Sequence, residues 1–349
     1  MSGETNGVAL KSVIDKLVSF APPSLAESWD NVGLLVEPVN DVPISHILLT
    51  NDLTEDVMDE ALSVKANLII SYHPPIFAPL KRITNSSWKE RIIAKCIANN
   101  IALFSPHTSW DIVEGGVTDW LASAFDSKHV KTLNTRKQDA PKTYILNVTS
   151  FLGSDFIAKL ESNFSKKEFK ILDQREQVKF TIQCSDKVIQ TLTSEEYRKL
   201  NCISNFYATP EYSISGTIEG IGRLCTLKNK ITIAEAAEKV KKHIGMAFVQ
   251  LALARGMKLD DSIETVAFIC GSGGSLLKNV QCDLKVTGEA SHHEVLDCVH
   301  NGSSVILTNH SNSERGFLQQ FKQILATKLN DSSVTISVSK VDSDPLNVI

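Results

Sequence analysis

A chain of 349 residues with 42% hydrophobic content can bury a large core, and its length suggests about two domains. A net charge of −4 at pH 7, with no long run of Lys or Arg, excludes the electrostatic footprint of non-specific nucleic-acid or membrane-surface binding. Seven singly spaced cysteines without a Cys-x-x-Cys exclude a disulfide framework or zinc finger and fit a reducing compartment.

The short polar start, Met1 to Gly7, resembles neither a secretory signal nor an Arg-rich transit peptide, so cytosol or nucleus is the expected location. Val8 to Phe20 sets Leu10, Val13, Ile14, Leu17 and Val18 on one helical face, and Pro22-Pro23 stops it. Ser28 to Val36 reads as a polar turn feeding an apolar strand, and His46–Thr50 as a second strand, followed by a helix over Thr54 to Lys65. Asp30, in the turn before the first of these strands, could face a site or simply serve the turn. Leu68-Ile69-Ile70-Ser71 is an apolar strand ending in Tyr72-His73, where two prolines forbid continuation. Ser87-x-x-Glu90 opens another helix. Ile101 to Phe104 is a strand that ends in Ser105-Pro106-His107, with Asp111 four residues on.

This alternation predicts a mainly parallel α/β first half, residues 8–135. Ser127 to Lys142 turns polar and reads as a linker. Residues 140–214 then follow a β-α-β-β-α-β order, which predicts an inserted ferredoxin-like α+β domain. Alternation resumes over residues 215–349. There a Thr232-x-x-Glu235 capping box starts a helix, and Thr265–Cys270 runs into Gly271-Ser272-Gly273-Gly274. That glycine run could cradle an anion, although a plain tight turn explains it more simply. Glu289, His292 and His293 follow another strand end and are candidates for supporting or acid–base roles, although a surface helix start accounts for them as well.

Val305 to Leu307 is a buried strand running through Thr308-Asn309 into His310, with Glu314 four residues on. Function in open α/β sheets sits at such carboxyl ends. Glu314 has two readings: metal ligand, or partner of Ser311 in a capping box. Helix, polar turn, apolar strand, hydroxyl residue, polar residue and histidine recur in one order before His73 and before His310, as a duplicated half would leave behind. The candidate metal set is therefore His73, Asp111, His310 and Glu314, with His107 beside them. Two imidazoles and two carboxylates suit zinc, manganese or ferrous iron better than magnesium.

Collectively Trp29-Asp30-Asn31-Val32-Gly33-Leu34, Ser71-Tyr72-His73-Pro74-Pro75, Ser105-Pro106-His107-Thr108 with Asp111, Cys270-Gly271-Ser272-Gly273-Gly274, Thr287-Gly288-Glu289 and Asn309-His310-Ser311-Asn312-Ser313-Glu314-Arg315 resemble the NIF-three-like family. That family is also labelled GTP cyclohydrolase I type 2, or dinuclear metal centre proteins. The resemblance implies two similar α/β halves with one or two divalent ions between them, and ring-shaped homo-oligomers, hexamers among them. It places the metal ligands on His73, Asp111, His310 and Glu314, and it puts Tyr72 where the family has a further histidine. It also implies a metal-dependent hydrolase of a small phosphorylated or nucleotide-like substrate, for which His107 and His293 are the catalytic candidates. The alternative it carries is a non-catalytic partner of transcriptional coregulators in cytoplasm and nucleus.

Overall fold

The structure is a computed structural model that describes residues 7–40, 42–135, 143–150, 152, 154–165, 168–175, 178–194, 203–211 and 219–347. Residues 1–136 and 218–349 form one compact unit, and residues 137–217 form another.

The first sheet of the larger unit holds β1 (Gly33–Val36), β2 (His46–Thr50), β3 (Leu68–Ser71) and β4 (Ala102–Ser105). Its strand order is β1-β4-β3-β2, with β1 antiparallel and the other three parallel. Period-2 side-chain alternation splits this sheet cleanly between two cores. Leu48, Ile69 and Leu103 face the helices Glu55–Ser63 and Trp88–Ala98, whereas Leu49, Ile70 and Phe104 face the centre of the unit. Burial on both faces explains why these strands read as unbroken apolar runs.

Residues 137–217 are built from β6 (Thr143–Ser150), β7 (Phe169–Arg175), β8 (Lys179–Ser185) and β9 (Ile203–Glu211), with helices at Ser154–Asn163 and Asp186–Leu192. The order β7-β8-β6-β9, antiparallel throughout, is the ferredoxin-like arrangement, around its own core of Leu146, Phe156, Phe180 and Ile182. The second of these helices covers Asp186–Leu192, and residues 195–200 lie outside the described residues.

The second sheet of the larger unit contains β10 (Gly220–Thr232), β11 (Gln250–Ala252), β12 (Ser262–Ser272), β13 (Leu284–Glu289) and β14 (Ser304–Leu307). Its core order, β11-β14-β13-β12, repeats the first sheet's pattern of one antiparallel edge beside three parallel strands in descending order. On that pattern β14 corresponds to β4. The sequence comparison of β3 with β14 is therefore displaced by one strand, because two parallel strands preceded by helices look alike locally whatever their place in a sheet.

Two strands cross between the sheets. β15 (Thr335–Val338) pairs with β2 in the first sheet, and β5 (Ser127–Thr135) pairs with β10 in the second. The expected linker from Ser127 is thus a strand as far as Thr135, and residues 136–142 lie outside the described residues. Its polar composition has a physical cause: β5 is an edge strand with most side chains in solvent, so pairing rather than apolar alternation defines it. Between the sheets lies a shared core in which Trp110 packs on Phe321 at 4.0 Å between ring centroids and edge-on to Phe317 at 5.4 Å.

Candidate metal centre

Six chain segments reach the site, each leaving the carboxyl end of a parallel strand, where backbone groups are no longer committed to the sheet. β2 delivers Asn51 and Asp52, β3 delivers Tyr72 and His73, and β4 leads to His107 and Asp111. β12 delivers Cys270 and Gly271, β13 ends at Glu289, and β14 leads to His310 and Glu314.

One ligand atom each from His73, His310 and Glu314 lie within 4.8 Å of one another. Glu314 is buried, with Oε2 3.5 Å from His73 Nε2 and Oε1 3.6 Å from His310 Nε2. It does not cap a helix. Ser311 to Ser313 form a short 3₁₀ turn, the next helix begins at Phe317, and Ser311 Oγ donates to Asp344. The Glu314 side chain accepts from Asn51 Nδ2 at 3.1 Å. The capping reading of Ser311-x-x-Glu314 is therefore replaced by the ligand-like placement.

Each imidazole is fixed by a carboxylate. His73 Nδ1 donates to Asp52 at 2.8 Å, His310 Nδ1 to Glu289 at 3.0 Å, and His107 Nδ1 to Asp30 at 2.7 Å. Such bonds select the tautomer that leaves Nε2 as the available ring nitrogen, the support that metal-binding histidines commonly have. Burial alone would push Asp52 and Asp30 upward, but hydrogen bonds from His73 and from His107 with Thr108 outweigh it and hold both below the usual carboxylate range.

Burial pushes Glu314 well above the usual range, with Asp111 adding to the effect, and lifts Asp111 to about 6. The buried Oδ1 of Asn51 has no hydrogen-bond partner among the described residues. Lone pairs of two imidazoles and a buried carboxylate in one place form a donor set that a cation would satisfy. Gly271, at φ +60°, completes the enclosure: a Cβ there would stand 2.7 Å from Glu314 Oε1 and 3.0 Å from His310 Nε2. Of the glycine run, Gly271 thus serves close approach to these two side chains.

Asp111 lies apart from the three-residue group. The Tyr72 hydroxyl donates to its Oδ1 at 2.7 Å, and burial, then the negative charge of Asp111 and Glu314, keep Tyr72 protonated far beyond its ordinary range. Tyr72, His107, Asp111, His310 and Glu314 all line a cavity of about 260 Å³ whose other walls include Trp29, Ile221 and Leu276. His107 stands there at φ 34°, a backbone conformation that costs a non-glycine residue about 1–3 kcal/mol, against which its amide bonds to Tyr72 O and its ring to Asp30. The structure does not bring His293 to this cavity. It sits exposed in the first turn of the helix His292–His300, which Ser291 and Glu294 open as a full capping box.

The sequence signal for the equivalent positions is now visible. His107-x-x-x-Asp111 after β4 and His310-x-x-x-Glu314 after β14 share a spacing at topologically matching strand ends. Asp52 carried no local signal, since only the β2–β3 pairing sets it beside His73.

A family model described as Duf34/NIF3 (NGG1p interacting factor 3) matches residues 8–345. The chain belongs to this NIF3 family. NIF3-like protein 1 of Drosophila melanogaster is 40% identical over 341 residues, covering 98% of this chain and 89% of that one. The Rattus norvegicus NIF3-like protein 1 is 38% identical over 353 residues, covering 97% and 93%. A crystal structure of a Bacillus cereus protein related to NIF3 shares the fold of this NIF3-family chain, with a TM-score of 0.73 at 24% identity over 98% of this chain and 99% of that chain. Among the described residues no helix is long and apolar enough to cross a membrane.

Proposed function

We propose that this NIF3-family chain holds one divalent ion on His73, His310 and Glu314 and acts as a metal-dependent hydrolase on a small substrate entering the adjoining cavity. The observation that carries the reading is the convergence of the three donor atoms within 4.8 Å, with both imidazoles tied to carboxylates at Nδ1. Two imidazoles and one carboxylate suit zinc, manganese or ferrous iron, and such an ion supplies Lewis acidity to a hydrolysis. His107, oriented by Asp30, offers Nε2 as proton acceptor or donor at the cavity wall. The bond from Tyr72 to Asp111 favours one ion over two, because a protonated phenol is a poor ligand and occupies a carboxylate oxygen. Trp29, Ile112, Ile221 and Ile269 suit an apolar or ring portion of a substrate. The described residues lining the cavity include no Lys or Arg, so any phosphorylated part of a nucleotide-like substrate belongs outside it.

Metal analysis of the purified protein tests this reading, with His73→Ala and Glu314→Ala beside it. About one ion per chain, lost in both variants together with metal-dependent turnover of small phosphorylated and nucleotide substrates, supports it. Substoichiometric metal unchanged by either substitution removes the site.

The family description, NGG1p interacting factor 3, favours a second reading: a homo-oligomeric interaction protein that binds transcriptional coregulators, with the metal stabilising its fold. Under that reading the Glu314→Ala protein, if still folded, keeps its oligomer and its coregulator binding.

A further inference from the structure

Lys285, the second residue of β13, is 1% exposed. A lysine is almost never so buried unless its amine is paired. Among the described residues Lys285 has no carboxylate partner: Nζ lies 3.4 Å from the Lys278 carbonyl oxygen and 3.4 Å from Cys298 Sγ. The contact to oxygen is long for a hydrogen bond, and the thiol, though at an ordinary distance for sulfur, is a weak acceptor. The nearby ammonium of Lys278 is engaged with Asp297 at 2.8 Å. Cys298 is itself buried, on the helix His292–His300 that packs over β14.

The other described cysteines have different surroundings. Cys96 Sγ faces Met58 Sδ at 3.8 Å, and Cys282 Sγ donates to the Leu284 carbonyl at 3.3 Å. Only Cys298 has a side-chain hydrogen bond to an amine among the described residues.

We propose that Lys285 and Cys298 are a reversible oxidation site, at which an oxidant of the peroxide class joins Nζ to Sγ through a single oxygen atom. The S–H bond and one N–H bond break, and an S–O and an O–N bond form. The sulfur–nitrogen pair gives up four electrons, which reduce two hydrogen peroxides; one oxygen is retained in the bridge and three waters leave. A thiol reductant returns the four electrons and restores thiol, amine and one water. Burial favours this outcome over the ordinary oxidation ladder, because a sulfur oxidised beside a buried amine meets that amine before it meets bulk thiols. The link ties β13 covalently to the helix that follows it.

The test uses the full chain, reduced and then treated with hydrogen peroxide, followed by tryptic digestion and mass spectrometry. The expected species has gained one oxygen and lost two hydrogens, resists trypsin after Lys285, and reverts with excess thiol. Cys298→Ser, a near-isosteric change, abolishes the species, while the wild-type measurement stands independently of how that variant folds. Simple oxygen adducts on Cys298 with normal cleavage after Lys285 would overturn the proposal. So would a thiol-resistant product of the same mass, which marks a direct sulfur–nitrogen bond.

Discussion

The Tyr72 hydroxyl donates to Asp111 Oδ1 at 2.7 Å, and this bond divides the site into a three-residue donor group and a tied-off carboxylate. Replacing Tyr72 by histidine supplies a third imidazole beside His73 and His310 and frees Asp111. Tyr72→His is therefore expected to raise bound zinc or manganese from about one ion per chain toward two. Elemental analysis after dialysis reads the result; an unchanged ratio would show that Tyr72 does not limit metal stoichiometry.

Asp52 touches His73 at Nδ1, on the side away from the donor group. Losing such a partner typically weakens metal affinity about 10–100-fold. Asp52→Asn keeps the side chain's shape and should show this loss in competition with a chelator, with the fold intact by circular dichroism.

Gly271 leaves no room for a side chain beside Glu314 and His310. Gly271→Ala should lower metal affinity and also destabilise the fold, because the residue sits at φ +60°. Isothermal titration with zinc, beside thermal denaturation in chelator, separates the two effects. Wild-type affinity in a folded variant would show that the backbone approach is not needed.

In metal-free protein Asp111 and Glu314 should each contribute stability at acid pH, opposite in sign to the contribution of the depressed Asp30 and Asp52. Burial lifts Asp111 from 3.8 to about 6 and Glu314 well above its ordinary value, so the folded state keeps protons that the unfolded chain releases. A raised folded value contributes stability fully present below the unfolded value, near pH 4, and lost as pH rises through about 6. Metal binding on Glu314 displaces its proton, so affinity should climb as pH rises. Urea unfolding in chelator across this range measures the first effect; stability that rises instead would contradict the assignment.

Arg223 is fully buried on β10 and is bonded to Asp119 at 3.1 Å through Nη2, and to the carbonyls of Gly220, Gly222 and Val113. Asp119 also accepts from the Gly115 amide at 2.7 Å, so the pair ties the helix Val117–Ala122 to the second sheet. Asp119→Ala leaves a buried guanidinium without its counter-charge and should cost about 3–5 kcal/mol by denaturant unfolding. Replacing both partners by apolar residues should cost less than this single change.

The apolar runs Leu68–Ile70 and Val305–Leu307 announced strands buried on both faces, and the residues after them announced chemistry, because burial pattern and chain-breaking prolines are local properties. His73, His310 and Glu314 were legible for that reason, as was the ferredoxin-like order of the smaller unit. Glu314 could not be settled locally, since the same Ser311-x-x-Glu314 spacing serves a cap or a ligand. The tertiary structure takes it out of the capping role and buries it beside Asn51 and the two imidazoles.

What the sequence by itself determined was the set of elements and the residues standing at their ends. Only the tertiary structure decided which ends meet: Asp52 with His73, Asp30 with His107, Glu289 with His310, and Tyr72 with Asp111. It also decided that β5 and β15 each complete the other half's sheet. The reason is physical: periodicity records how each segment is buried, whereas neighbours across a sheet follow from strand order, which depends on the packing of the whole chain at once.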